Sequence, residues 1–373
     1  MSSLYLTSFG NIMGQVFYVL IALLVLMVMI TVHEFGHYVA GKIFGFGIEE
    51  FAIGFGPKIY RKKRKNGEYF SIRLLPFGGF CAFKGEDEES SSPDSFNNKK
   101  AWQRIIVLLS GAFMNYLLAL LIICCMFSFY GKTTIMTYKI KQNTQISTEN
   151  QFEDRDIILY ANGKNVFMLT DLITAIENKD EGDTIPFVIM RHGERKNINI
   201  TLQNNTYFSS LEDVSRLVSA LGMEYSVDEH GGIIDSGLRS TGIKVGFFET
   251  IGASFLYSFK IGASIFITIK QLITGAIGLS SLGGTVTTIV VTANVVKTGG
   301  LWSLLNISSF IGVNLALFNL LPIPALDGSR AVFTLFEWIF KKPVNRRVEG
   351  IVHTVGFVLL LIFAIVIDLQ RCF

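Results

Sequence analysis

Hydrophobic and polar positions along this chain sort into long uncharged runs and shorter alternating stretches. Met1 to Val32 carries no charge, and neither does the run between Arg104 and Lys132. A third uncharged run lies between Lys297 and Asp327, and a shorter one, Ile351 to Ile367, lies near the end of the chain. About 20 apolar residues suffice to cross a bilayer as a helix. The pattern therefore predicts a polytopic α-helical membrane protein with about four transmembrane helices, at 1–40, 105–131, 301–328 and 351–373. Residues 41–104 hold a different pattern: "EFAIGFGPKIYRKKRKNGEYFSIRLLPFGGF", Glu50 to Phe80, reads as a membrane-associated β-hairpin followed by a polar linker, "GEDEESSSPDS". Residues 132–203 alternate with the period of strands and turn at Asn162-Gly163 and His192-Gly193, the dipeptide chemistry of tight hairpins. Between these hairpins "MLTDLITAIEN" predicts a helix with Thr170 or Asp171 as its N-cap.

The stretch 204–300 predicts a linker followed by interfacial or re-entrant helices. Within it, Thr250 to Leu279 is apolar but interrupted by Lys260 and Lys270, so it is expected along the outer face, covering one side of a substrate entrance. Parity supports that expectation, because a single crossing there would turn the 301–328 helix upside down. Twelve Lys and Arg lie between Lys42 and Arg104, and Arg330, Lys341, Lys342, Arg346 and Arg347 lie in the 329–350 loop. Basic loops stay cytoplasmic, which leaves residues 132–203 outside the cell membrane.

Composition agrees with a membrane protein: 50% of residues are hydrophobic and only 17% charged. A net charge of +3 argues against a nucleic-acid binder. The four cysteines show no metal-ligand spacing and no disulfide framework.

Candidate chemistry sits where the first run ends. His33-Glu34-Phe35-Gly36-His37 is an H-E-x-x-H motif. On a helix, positions i and i+4 share a face, so both imidazoles can reach one zinc, and Glu34 can act as general base toward a water. Ionisable groups at membrane depth are expensive and mark function by default. A catalytic zinc takes three protein ligands and keeps one position open. The remaining histidines, His192, His230 and His353, are poorly placed to be the third. Asp327 ends the third run on the same cytoplasmic side as His33 and His37, which makes its carboxylate the candidate.

"HEFGH" and "NLLPIPALDG" together resemble the two signatures of the site-2 protease family of membrane-embedded zinc metalloproteases. "FAIGFGPKIY" with "IRLLPFGGF", and "SGAFMNY" with Ala112 where proline is usual, are similar to the branch typified by the regulator-of-sigma-E protease. That branch carries an inserted PDZ domain, which the β-β-α-β-β pattern of 132–203 resembles, with Arg155-Asp156 in place of the usual Gly-Asp. "GGTVTTI", Gly283 to Ile289, departs from the family's "SGPVGI"-like stretch.

The resemblance implies one Zn²⁺ per chain held by His33, His37 and Asp327, with Glu34 as catalytic base. It implies substrate contacts at Asn319, and the hairpin glycines Gly54 and Gly56 join it as substrate-binding candidates. It implies a bacterial inner-membrane enzyme that cuts single-span membrane proteins, anti-sigma factors or remnant signal peptides, after a site-1 protease has trimmed them. Two other functions fit parts of the chain: a catalytically silent scaffold binding partners through the PDZ-like domain, and a zinc transporter. Retention of all four metal-site residues weighs against the first. The lack of a further in-membrane series of ligands, apart from His353, weighs against the second.

Overall fold

Proline-free apolar sequence from Ser2 to Ile43 gives one long helix, α1, that stops where Gly45 takes φ +67° and lets the chain turn. The computed structural model describes residues 2–86, 91–138, 151–208, 214–223, 226–227, 233–235, 237–275, 278, 282–342 and 344–370. His230, Cys372 and part of the acidic 85–95 linker fall outside the described residues. The chain packs as two units, one of residues 1–123, 258–266 and 278–373, the other of residues 124–257 and 267–277.

The first unit is helical with one small β layer. Strands β1 (Ile48–Lys63) and β2 (Tyr69–Phe83) follow α1 and pair antiparallel over their length. Both strands fold over at glycines with positive φ, Gly54 (+85°) and Gly56 (+83°) in β1 and Gly78 (+87°) in β2. Folding over gives Ile53 a partner on each side, Gly79 and Ile72, while Lys58 to Lys63 run beside Arg73 to Tyr69. The order across the layer is thus 79–83, 48–53, 69–73, 58–63, which leaves 79–83 as one edge. Helix α2 (Ala101–Tyr130) crosses α1 closely, because a Cβ at Gly36 would collide with the carbonyl of Ser110.

The second unit holds a sheet. Strands β3 (Lys132–Thr137), β4 (Ile157–Ala161), β5 (Lys164–Asn165), β6 (Thr184–Arg191) and β7 (Glu194–Thr201) enclose helix α3 (Leu169–Ile176) in sequence. Helix α4 (Val214–Ala220) and strands β8 (Ser226–Val227), β9 (Ile233–Asp235) and β10 (Leu238–Ile243) follow. The sheet order is β10-β3-β4-β6-β7, with β5 paired to β4. Ile158, Leu172, Ile173, Phe187 and Ile189 are buried at its centre. Both hairpin turns have two successive residues at positive φ, Asn162-Gly163 (+48°, +76°) and His192-Gly193 (+51°, +86°), as their sequences require. Arg155 takes φ +69°, a conformation glycine adopts without strain, and the next residue, Asp156, holds Arg191 with two bonds of 2.9 and 2.7 Å. Asp171 does stabilise the start of α3, but from the third helical position, accepting from the amides of Phe167 (2.8 Å) and Met168 (3.1 Å).

Three boundaries differ from the sequence reading. The sheet does not close at residue 203: β10 pairs with β3 from Leu238↔Thr137 to Ile243↔Lys132, a contact between the ends of a long segment that no local pattern announces. The helices differ as well: among the described residues five, rather than four, are by length and composition able to cross a membrane, Met13–Ile43, Ala101–Tyr130, α5 (Phe247–Ile273), α6 (Thr285–Leu320) and, from Arg347, α8 (Arg346–Gln370). Helix α5 is the run expected along the outer face. Its middle packs against α2 and α6, with Ser258 Oγ 2.9 Å from Tyr116 Oη and a Cβ at Gly262 within 2.9 Å of Leu317. Lys260 and Lys270 made it read as interfacial, yet long basic side chains tolerate such positions by snorkelling.

The third difference concerns Asp327, which does not end a transmembrane helix. Helix α6 bends at Gly300 (φ 60°, ψ −145°) and stops at Leu320, ahead of Pro322 and Pro324, which cannot donate to a helix. Asp327 then opens a separate helix, α7 (Asp327–Phe340), in what read as the 329–350 loop.

Candidate metal centre

Three donors from two distant parts of the chain converge. His33 Nε2 lies 2.9 Å from Asp327 Oδ2, His37 Nε2 lies 3.2 Å from the same oxygen, and the two Nε2 atoms are 3.2 Å apart. His33 and His37 are buried, and among the described residues this is the one cluster of His, Cys, Asp or Glu with metal-site geometry. Zinc bonds of about 2.0–2.1 Å to nitrogen and oxygen place neighbouring tetrahedral ligands roughly 3.3 Å apart. The observed spacings match that edge length.

The surroundings fit a cation as well. The carbonyl oxygen of Val107 stands 2.8 Å from His37 Nδ1 and can only accept, so Nδ1 carries the proton and Nε2 keeps its lone pair for a metal. Gly111 of α2 provides the space. A Cβ there would lie 2.5 Å from His37 Nε2 and 2.8 Å from His33 Nε2, inside the volume the donors enclose. Met29 and Ala119 lie against Gly312, so α6 runs beside α1 and α2 and delivers the chain to Asp327 at the level of the histidines.

A model of peptidase family M50 matches residues 21–363. A Clostridium perfringens protein, CPE1693, named among the zinc metalloproteases, is similar at 32% identity over 354 residues, covering 95% of this chain and 98% of its own. Zinc metalloprotease RasP of Bacillus licheniformis is 26% identical over 437 residues, covering 94% and 98%. Regulator of sigma-W protease RasP of Bacillus subtilis is 25% identical over 431 residues, covering 92% and 96%. The chain belongs to peptidase family M50. It is a zinc metalloendopeptidase of the site-2 protease type and an integral membrane protein.

For an M50 peptidase the position of Glu34 matters most after the donors. Its Oε2 accepts the backbone amide of Cys81 at 3.0 Å, so the sheet edge fixes the carboxylate beside the metal centre. Glu34, His37, Asp327, Phe55, Phe80 and Cys81 line a cavity of about 640 Å³. Burial, reinforced by the charges of Glu34 and Glu86, pushes the Cys81 thiol well above its usual range.

The other expected site residues lie further off. Asn319 is buried on α6 and is not among the residues lining the cavity. Gly54 and Gly56 do not line it either; Phe55 between them does, and the glycines serve the bend of β1. Sequence reasoning missed Gly111, Asn115, Val107 and the Cys81 amide. "SGAFMNY" held two of them in plain view, but only as a motif with no contact attached.

Proposed function

We propose that this M50 peptidase cuts single-span membrane proteins inside the bilayer, near the cytoplasmic face of a bacterial inner membrane. The observation that carries the reading is the cavity where His37, Asp327 and Glu34 meet beside the strand edge 79–83, with His33 next to the same donors. In this reading His33, His37 and Asp327 hold the zinc. Bound zinc supplies Lewis acidity and lowers the pKa of water toward neutrality. Glu34 accepts the proton of the attacking water and returns it to the leaving amine. Cys81 keeps Glu34 aimed, since its amide occupies one carboxylate oxygen and leaves the other for the proton.

A peptide bond must leave its helix before it can be cut, because helical amides are already hydrogen-bonded. The edge 79–83 offers the unwound segment replacement partners. The amides of Cys81 and Phe83 point outward but are held by Glu34 and, at 3.4 Å, by Glu86, so the carbonyl oxygens on this side of the strand are the groups a substrate segment would use. An apolar cavity of about 590 Å³, lined by Phe113, Tyr116, Gly262, Phe266, Ala316 and Leu320, supports a lateral entrance between α2, α5 and α6. Gly54 and Gly56 let β1 carry Phe55 to the cavity wall. The sheet unit acts as a PDZ-like filter on the outer side, admitting substrates that a site-1 protease has trimmed. The Bacillus subtilis relative named regulator of sigma-W protease supports an anti-sigma factor as one substrate class.

Co-expression with candidate single-span substrates tests the reading. Glu34→Gln is expected to keep zinc and lower cleavage by about 10²- to 10⁴-fold, the usual contribution of a general base. Wild-type turnover in that variant removes Glu34 from the mechanism. Cleavage that persists in zinc-free protein overturns the whole assignment.

A further inference from the structure

His37 and His33 both turn a second ring nitrogen away from the metal centre, and the two nitrogens meet different partners. His37 Nδ1 meets the Val107 carbonyl, which dictates the tautomer. His33 Nδ1 meets the side-chain amide of Asn115, with Asn115 Nδ2 at 3.3 Å. Asn115 is fully buried on α2, four residues after Gly111, and its Oδ1 is buried without a hydrogen-bond partner among the described residues.

Nδ2 toward Nδ1 is an arrangement that works against metal binding. An amide N–H can donate only to an unprotonated Nδ1, which puts the ring proton on Nε2 and removes the lone pair that faces Asp327 and His37. Half a turn about Cβ–Cγ exchanges the two ends of the amide, which are nearly equal in size. Oδ1 then accepts from Nδ1–H, Nδ2 takes the place without a partner, and Nε2 is free to bind, so the gain lies in the tautomer of His33.

We propose that Asn115 is a positioning residue for the zinc. Its side-chain oxygen holds His33 as the Nδ1–H tautomer, as the Val107 carbonyl holds His37. The proposal rests on His33 being a zinc ligand. Outer partners of this kind raise ligand basicity and fix ring orientation, and losing one typically weakens metal binding 10- to 100-fold.

Chelator competition on the full-length protein in detergent measures zinc affinity directly, without reference to cleavage. Asn115→Leu removes the acceptor while keeping the volume, and is expected to weaken zinc 10- to 100-fold. Asn115→Asp keeps the acceptor and cannot donate when ionised, so it is expected to bind within about threefold of wild type or tighter. A merely structural amide predicts the reverse, since a buried carboxylate would be the worse substitute. Wild-type affinity in Asn115→Leu, or equal weakening in both variants, overturns the proposal. Should Asn115→Leu fail to fold, Asn115→Asp decides alone: retained zinc supports the acceptor role and lost zinc refutes it. His33→Ala separates the two levels, because zinc retained there sinks the ligand assignment itself rather than the role of Asn115.

Discussion

The helical unit and the sheet unit solve burial in opposite ways. In the sheet unit Ile158, Leu172, Ile173 and Ile189 are fully buried, and the charged side chains Lys196 and Glu194 face outward. In the helical unit Phe113, Leu121, Phe357 and Leu361 are exposed, while His33, His37, Asn115, Ser309 and the Arg104–Glu337 ion pair are buried. Lipid is as apolar as leucine, so burying leucine between spans gains little, and polar contacts and close packing at small residues hold the helices instead. The difference teaches where chemistry can reside. One unit brings three donors with metal-site geometry into its interior; the other fills its interior with an apolar centre and keeps the Asp156–Arg191 ion pair as a structural tie.

Removing a proposed zinc ligand tests that division most severely. His33→Ala and Asp327→Ala should each lose the single zinc in metal analysis of purified protein. An Asp327→Ala protein with unchanged zinc would show that two histidines suffice and would break the link between the distant segments. Gly111→Ala should come next, lowering zinc affinity at least about tenfold, because even one methyl group strains a tightly packed site. Normal affinity there would mean that α1 and α2 separate at little cost, contrary to the collision at Gly36.

Phe187→Ala probes the other unit. A large-to-small change at a buried phenylalanine costs about 3–5 kcal/mol, read as lower resistance of the sheet unit to denaturant or protease. Zinc content should stay at the wild-type level. Coupled loss of zinc would end the separation of the two units. The smallest effect on the metal is expected from deleting residues 132–243 outright. Lys132 pairs with Ile243, so the ends of the deleted segment are adjacent and Gly131 can be joined to Lys244 with little disturbance. The shortened protein should keep its zinc and cut untrimmed substrates more readily than wild type. Loss of cleavage of trimmed substrates in a folded protein would refute the filter role.

The spacing of His33 and His37 was legible because a helix repeats every 3.6 residues, and a motif within one turn needs no tertiary information. The two hairpin turns were legible for the same reason, since Asn162-Gly163 and His192-Gly193 specify positive φ locally. Asp327 was reached by a weaker route, the agreement of membrane sides, which picked out the residue but put it at the end of a span. Proline at 322 and 324 was the overlooked signal that the helix had already stopped. Lys260 and Lys270 gave no sign that the middle of this run packs against α2 and α6, because a count of charges ignores the length of their stems.

Sequence by itself determined that this is a membrane protein with an H-E-x-x-H helix, a basic hairpin and an inserted domain of alternating strands. Each follows from a repeat or composition that acts over a few residues or over one span. Only the tertiary structure decided that Gly111 clears room for the histidines and that Val107 and Asn115 meet their second nitrogens. It also decided that the Cys81 amide aims Glu34, and that β10 returns to complete the sheet begun by β3. These contacts join residues tens to hundreds of positions apart. Their geometry is set by where helices cross and strands register, which no local period encodes.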